Sequence, residues 1–263
     1  MKPAPFDYVC AENLEHVLSL LAQYGEDARL LAGGQSLLPT LALRLSAPSV
    51  LIDLKRLSAA MPAPSLREGR LHLHALTRHV DMERSTLVAQ HLPLLSAAAP
   101  WIAHPAIRNR GTLGGSLAVA DPASEWPACA LASDARLHVV SQAGGERVLS
   151  AEAFFQGLYQ TSLETEEMIV SVDLPDHHDA KFAFKEVARR KGDYASVGLA
   201  ALYRSTSAHP KELRWVYFGV ADRPVRATEL EDVLLGSQNL AQALTLAREV
   251  HEEFFVAEAD LWY

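Results

Sequence analysis

The chain has 263 residues, 49% hydrophobic and 21% charged, with 24 basic against 32 acidic side chains for a formal charge of −8. That profile fits a globular protein with ample core, and the acidic balance argues against a broad nucleic-acid surface. Its longest apolar stretches, such as Leu92–Ile102, are too short to span a bilayer, which takes about 20 residues.

The opening Met1-Lys2-Pro3-Ala4-Pro5-Phe6-Asp7 lacks the apolar run of a signal peptide, so a cytoplasmic location is expected. Asn13 is placed to cap a first helix whose apolar face is Leu14, Val17, Leu18 and Leu21, and Gly25 is placed to end it. Ala28–Ala32 reads as a strand that runs directly into Gly33-Gly34-Gln35-Ser36. Leu37–Leu45 is short and apolar, with Pro39 near a helix start, and Val50–Leu54 is a short buried strand. Strand and helix thus alternate in a small opening α/β unit.

Met61-Pro62-Ala63-Pro64-Ser65 reads as a connector. Arg70–Leu76 alternates as a half-buried strand should, which puts His72 and His74 on its polar face. Thr86–Ile102 is helical in pattern, with Pro93 and Pro100 limiting each helix. Leu137–Val140 and Met168–Val172 are further strands, and Ser150 caps a helix between them. After Leu174–Asp179 the texture changes. Phe182–Val187, Val197–Tyr203 and Leu213–Val220 read as three strands, followed by helices near Thr228–Leu235 and Leu240–Phe254. Strands first and helices last suggest a separate α+β module.

Two cysteines, Cys10 and Cys129, cannot build a four-thiolate iron–sulfur cluster within this chain, and both read as buried small hydrophobes. None of the eleven histidines stands in a recognised metal-ligand spacing, so each is expected to be a satisfied or solvated side chain.

The chemistry concentrates in two glycine-rich segments, Leu31–Pro39 and Ile107–Pro122. Gly33-Gly34-Gln35-Ser36 and Gly114-Gly115-Ser116 let the backbone approach a bulky anion, and their N–H and hydroxyl groups can donate to it. Two such loops suit a pyrophosphate held from both sides. Neither ends in the Gly-Lys-Ser/Thr of a Walker loop, and neither matches the Gly-x-Gly-x-x-Gly dinucleotide fingerprint. Physics alone therefore stops at a phosphate or dinucleotide site.

In this order and separation the segments resemble the flavin-binding medium subunits of the xanthine dehydrogenase and carbon monoxide dehydrogenase family. The resemblance extends over nearly the whole chain, through Pro5-Phe6-Asp7-Tyr8, His104–Thr112, Phe155–Leu163 and Arg189–Ala195. It implies an α+β protein with the vanillyl-alcohol-oxidase-type (PCMH-type) FAD-binding fold. Residues 1–57 and 58–176 would be two α/β lobes clasping FAD, and 177–263 a C-terminal domain with a three-stranded antiparallel sheet and helices. By resemblance, Ala32, Gly33, Gly34, Gln35, Ser36 and Leu37, with Thr112, Gly114, Gly115 and Ser116, bind the FAD diphosphate. Asp121 looks like the residue that hydrogen-bonds the ribose or adenine, Leu163 is a further cofactor contact, and Asp193 and Tyr194 lie near the isoalloxazine ring. Two positions depart from many relatives, Gln35 and Val119 standing where those carry His. Gln35 can still donate a hydrogen bond, whereas Val119 can neither donate nor titrate.

The family chemistry implies an oxidoreductase without catalytic side chains of its own. A large partner would carry the molybdopterin cofactor and a small partner two 2Fe–2S clusters, as a dimer of heterotrimers. FAD in this chain would collect electrons for an external acceptor, with no metal bound by the chain itself. The competing readings are a self-contained FAD-dependent oxidase of the same superfamily and a non-redox nucleotide-binding module. Against the first, only about 85 residues remain for a substrate cap, fewer than the ~100–150 most common for a domain.

Overall fold

The computed structural model describes residues 2–206, 209–236 and 245. Strands β1 (Asp7–Cys10), β2 (Ala28–Leu31) and β3 (Val50–Asp53) form a parallel sheet in the order β1-β3-β2. β3 is central and buried throughout, which is why Val50-Leu51-Ile52 is an unbroken apolar run. Helix α1 (Leu14–Tyr24) starts where expected, with Asn13 Oδ1 accepting from His16 N–H at 2.9 Å, and is closed by Gly25 at φ 51°. The short helices α2 (Leu37–Ala42) and α3 (Lys55–Ala60) follow β2 and β3. Val17, Leu20 and Leu21 of α1 share a small core with Val50 and Ile52.

The second sheet is antiparallel. Its strands are β4 (Ser65–Arg67), β5 (Arg70–His74), β6 (Arg136–Ser141), β7 (Gly145–Ser150) and β10 (Met168–Pro175), in the order β4-β5-β10-β6-β7. A small hairpin of β8 (Phe155–Gly157) and β9 (Gln160–Thr161) precedes β10. The stretch read as a connector ends in β4, because Glu68 and Gly69, both at positive φ, form a two-residue turn that folds residues 65–67 back onto β5. Helices α4 (His79–Arg84), α5 (Thr86–His91), α6 (Pro93–Ala98), α7 (Pro105–Arg108), α8 (Leu113–Val119) and α9 (Glu125–Ala132) lie between β5 and β6, with α10 (Ala151–Phe154) after β7. Pro93 stands in the first turn of α6, where its missing N–H costs nothing.

The third sheet is antiparallel, β11 (Lys181–Val187), β12 (Val197–Thr206), β13 (His209–Phe218) and β14 (Val225–Arg226) in sequence order, followed by α11 (Thr228–Gly236). Three of these strands were expected. The fourth is two residues long, too short to show periodicity. The helix expected near Leu240–Phe254 falls outside the described residues.

Helix α9 packs against β12, β13 and β14 of the third sheet and against helices α6, α8 and α10, and all eight of its residues are buried. Its Ala and Cys side chains let the third sheet come close. One continuous core runs from Leu71, Leu73, Leu137 and Val139 of the second sheet to Phe184, Val216 and Phe218 of the third. Phe218, fully buried, stacks on Phe184 with ring centroids 5.7 Å apart. Truncating Phe218 to Ala leaves a cavity where the third sheet meets the body and should cost about 3–5 kcal/mol. Denaturant unfolding checks this, and a loss below ~1 kcal/mol would mean the core closes over the gap.

Candidate functional site

β2 is an edge strand of the parallel sheet, and its carboxyl end delivers the chain into Ala32–Ser36. The carboxyl ends of parallel strands are where α/β sheets bind ligands. Gln35 Nε2 donates to Gly33 O at 2.8 Å and curls the loop, while Gly34 takes φ 71°, a conformation costly for residues with a Cβ. Among the described residues, the backbone N–H groups of Gly33, Gly34, Gln35, Ser36 and Leu37 donate to no protein acceptor. Successive free N–H groups on one short loop form a concavity suited to an anion.

The second segment behaves differently. Thr112 caps α8, its Oγ1 accepting from Gly115 N–H at 3.2 Å, and Ser116 N–H donates to Thr112 O at 3.0 Å. Leu113 N–H donates to Thr77 O at 2.9 Å and Gly114 N–H to Ala75 O at 2.7 Å. These four donors are therefore satisfied within the protein, and the glycines serve close packing. A Cβ on Gly114 would lie 2.5 Å from Ala75 Cβ. A Cβ on Gly33 would lie 2.3 Å from Arg110 O and 2.8 Å from Gly111 Cα, so the two loops touch backbone to backbone. The loop pair predicted from sequence does come together; the first loop presents five open donors in a row, and the second, among the described contacts of Thr112–Ser116, only the Thr112 N–H.

Several neighbours fix the second loop. Arg108 Nε donates to Glu83 at 2.9 Å, and its Nη1 reaches Ile102 O and Ala103 O, each at 3.0 Å. His79 lies under Gly111, and Trp126 Nε1 donates to His79 Nδ1 at 2.9 Å. Burial, then the nearby Arg108, pushes the His79 imidazole down to about 4, so it is neutral at pH 7. Sequence reading missed this pair, since a lone His and a lone Trp, 47 positions apart, carry no motif.

Ser116 Oγ lies 3.0 Å from Ser124 Oγ, linking the start of α8 to the start of α9. Between them Asp121 accepts from Ala123 N–H at 2.9 Å and from the Tyr159 hydroxyl at 3.2 Å, and burial raises its pKa. Tyr159 is on the turn of the β8–β9 hairpin, and Leu163, just past that hairpin, packs half-buried on the main core. Asp193 and Tyr194 are exposed. Their turn rests on the chain entering α7, because a Cβ on Gly192 would stand 2.9 Å from Ala103 O.

Sequence reading also missed two acids. Glu125, buried at the head of α9, is pushed up to about 8 by desolvation, with Glu186 and Asp121 adding repulsion. Glu186, on β11, is raised to about 7 by burial, and neither of its carboxyl oxygens has a hydrogen-bond partner among the described residues. Glu125 stands at an ordinary position for an acid in a first helical turn. Only the packing of β11 against the body brings Glu186 near it.

These acids make stability depend on pH with a definite sign. The folded Glu125 carboxyl keeps its proton up to about 8, whereas the ordinary value is 4.5. The stabilising contribution is complete below pH 4.5 and is lost as pH rises towards 8. Glu125→Gln removes this loss, so its thermal midpoint should gain on the wild type steadily between about pH 5 and 8. Parallel pH profiles of the two midpoints would contradict burial of a neutral carboxyl.

Comparison with known proteins adds a separate line of observation. Residues 4–177 match the family described as the FAD binding domain in molybdopterin dehydrogenase, and residues 182–261 match the carbon monoxide dehydrogenase flavoprotein C-terminal domain. The chain is 42% identical over 245 residues to the alpha subunit of the 6-hydroxypseudooxynicotine dehydrogenase complex of Paenarthrobacter nicotinovorans, covering 90% of this chain and 80% of the relative. It is 35% identical to the carbon monoxide dehydrogenase medium chain of Hydrogenophaga pseudoflava, over 95% of this chain and 86% of the relative. Among solved structures, carbon monoxide dehydrogenase from Hydrogenophaga pseudoflava superposes with TM-score 0.93 at 34% identity, covering 99% of this chain and 91% of that chain. Quinoline 2-oxidoreductase from Pseudomonas putida 86 superposes with TM-score 0.91 at 37% identity, covering 99% and 90%. The chain therefore belongs to the FAD-binding medium subunits of the molybdenum hydroxylases, oxidoreductases with the vanillyl-alcohol-oxidase-type flavin fold.

Proposed function

We propose that this chain is the electron-transfer subunit of a heteromeric molybdenum hydroxylase, holding FAD between the 2Fe–2S clusters of a small partner and an external electron acceptor. The observation that carries the reading is the set of five open N–H groups at Gly33–Leu37, braced from behind by the second glycine loop. That donor set fits a diphosphate, which brings the acceptor oxygens those groups lack. When bound, FAD supplies the one- and two-electron redox chemistry, and the protein supplies binding, orientation and electrostatic tuning.

Each residue then has a task. Gly33 to Leu37 donate to the diphosphate, and Ala32 positions the turn. Thr112, Gly114, Gly115 and Ser116 hold the second loop against the first. Asp121, oriented by Tyr159, accepts from ribose hydroxyls or the adenine amino group, a role for which a carboxylate suits better than for a diphosphate. Asp193 and Tyr194, exposed on a turn beside the second loop's approach, flank the isoalloxazine ring, with Leu163 as an apolar contact. Residues 1–57 and 58–176 act as the two cofactor-clasping lobes and 177–263 as the C-terminal domain.

The relatives support the assembly in their names. One is a subunit of a dehydrogenase complex, and others are medium chains of carbon monoxide dehydrogenases. In the proposed assembly a large molybdopterin-binding subunit oxidises the substrate, and two heterotrimers pair in the cytoplasm. Among the described residues no helix is long and apolar enough to cross a membrane.

Two experiments test these statements separately. Gly33→Ala forces a Cβ into a gap of 2.3 Å to a backbone carbonyl, so the loops must part and flavin absorbance per chain should fall while far-ultraviolet circular dichroism persists. Full flavin content in that variant would remove the loop contact from the binding site. Expressed alone, the chain should bind FAD yet show no flavin bleaching with aldehydes, purines or N-heterocycles. Co-expressed with both partners, it should elute as a larger complex whose flavin is bleached by substrate. Bleaching in the isolated chain would instead make it a self-contained oxidase.

A further inference from the structure

β10 ends at Pro175, and residues 176–180 carry the chain across to β11. The crossing is pinned at its start. Asp176 N–H donates to Gly69 O at 2.9 Å, and the next residue, His177, donates its N–H to His91 O at 2.8 Å, at the end of α5. This brings two histidines to the two oxygens of one carboxylate. His91 Nδ1 lies 3.0 Å from Asp176 Oδ1, and His178 Nδ1 lies 2.9 Å from Asp176 Oδ2. One ligand atom from each of His91, Asp176 and His178 lies within 4.8 Å of the others.

We propose that His91, Asp176 and His178 form a binding site for a single zinc-class divalent cation, which fastens the β10–β11 crossing to α5. Two imidazole nitrogens and one carboxylate oxygen are a donor set suited to Zn²⁺, with bonds of roughly 2.0–2.2 Å and water completing a tetrahedron. At such bond lengths tetrahedral ligand atoms stand roughly 3.3 Å apart; the two histidine–carboxylate spacings are already close to this, and the widest separation in the trio, within 4.8 Å, must shorten on binding. The side chains of His91 and Asp176 are 13% and 19% exposed and set in place, whereas His178 is 61% exposed and can swing onto the ion. Asp176 Oδ1 also accepts from His178 N–H at 2.9 Å, which orients the carboxylate. Arg204 donates to the Asp176 carbonyl, and its charge is met by Asp179 at 2.9 Å and Glu212 at 3.2 Å. Among the described residues, no other trio of His, Cys, Asp or Glu converges as closely.

The competing account is a plain hydrogen-bonded trio, each imidazole donating its Nδ1–H to the carboxylate, with no affinity for metal. A second cluster provides the control. On the outer face of the five-stranded sheet, Asp173 is bonded to His72 Nδ1 at 2.5 Å and to His138 Nε2 at 2.9 Å. The flavin-loaded full chain, stripped of metal with a chelator, is titrated with Zn²⁺ against a chromophoric chelator while its thermal midpoint is followed. One equivalent should bind and raise the midpoint by several degrees. His178→Ala and Asp176→Asn should each weaken binding at least about tenfold, and His138→Ala should bind as the wild type does. His178 is exposed on the crossing, so its variant tests the site without opening the core, and unchanged flavin content verifies folding. Absence of Zn²⁺ binding at micromolar concentration overturns the proposal. So does undiminished binding in His178→Ala, or loss in His138→Ala instead.

Discussion

The contact of Gly33 with the backbone of Arg110 and Gly111 is the constraint on which the paired glycine loops, and the cofactor site proposed on them, depend. At 2.3 Å from where a Cβ would stand to the Arg110 carbonyl, no side chain fits. The approach brings the end of a parallel strand against a loop that has already satisfied its own N–H groups through Thr77, Ala75 and Thr112. Within Thr112–Ser116 only the Thr112 N–H lacks an acceptor among the described residues, whereas the first loop carries five such donors in a row. Unpaired backbone N–H groups cost about 1–3 kcal/mol each when removed from water.

Burial also shapes the electrostatics around this brace. His79, bonded to Trp126, is held neutral beneath Gly111 by exclusion of water and by the nearby Arg108, and Glu125 is held neutral at the head of the same helix that carries Trp126. Helix α9 thus places an uncharged base on one side and an uncharged acid on the other. Its own composition explains why it can do so. Small side chains such as Ala128, Cys129 and Ala130 allow the third sheet and the neighbouring helices to close over it and expel solvent from both groups.

Histidines divide along similar lines. The alternation of Arg70–Leu76 places His72 and His74 on the polar face of β5, and β10 and β6 pair so that Asp173 meets both His72 and His138. Alternation makes the face of each such residue legible, because side chains in a strand point to opposite sides in turn. His91 and His178 have no such periodicity. One ends a short helix and the other lies on an irregular crossing, so they share a carboxylate only because backbone bonds pin the crossing, Asp176 to Gly69 and His177 to His91.

Local chemistry made much of the protein readable. Asn13 and Gly25 bound α1 because capping groups act within one turn, and the strands with clear alternation or apolar runs emerged close to where they were read. The glycine pairs and their order were enough to point to a flavin family. Tertiary structure decided what depends on partners distant in sequence. It folded residues 65–67 into an edge strand, added β14 to the third sheet, and gave the run of open donors to the first loop. It also set Glu125 near Glu186 and His91 beside His178. The physical reason is range. Capping, alternation and turn geometry act over a few residues, whereas desolvation, backbone-to-backbone approach and ligand convergence are properties of a place in space that several separate segments build together.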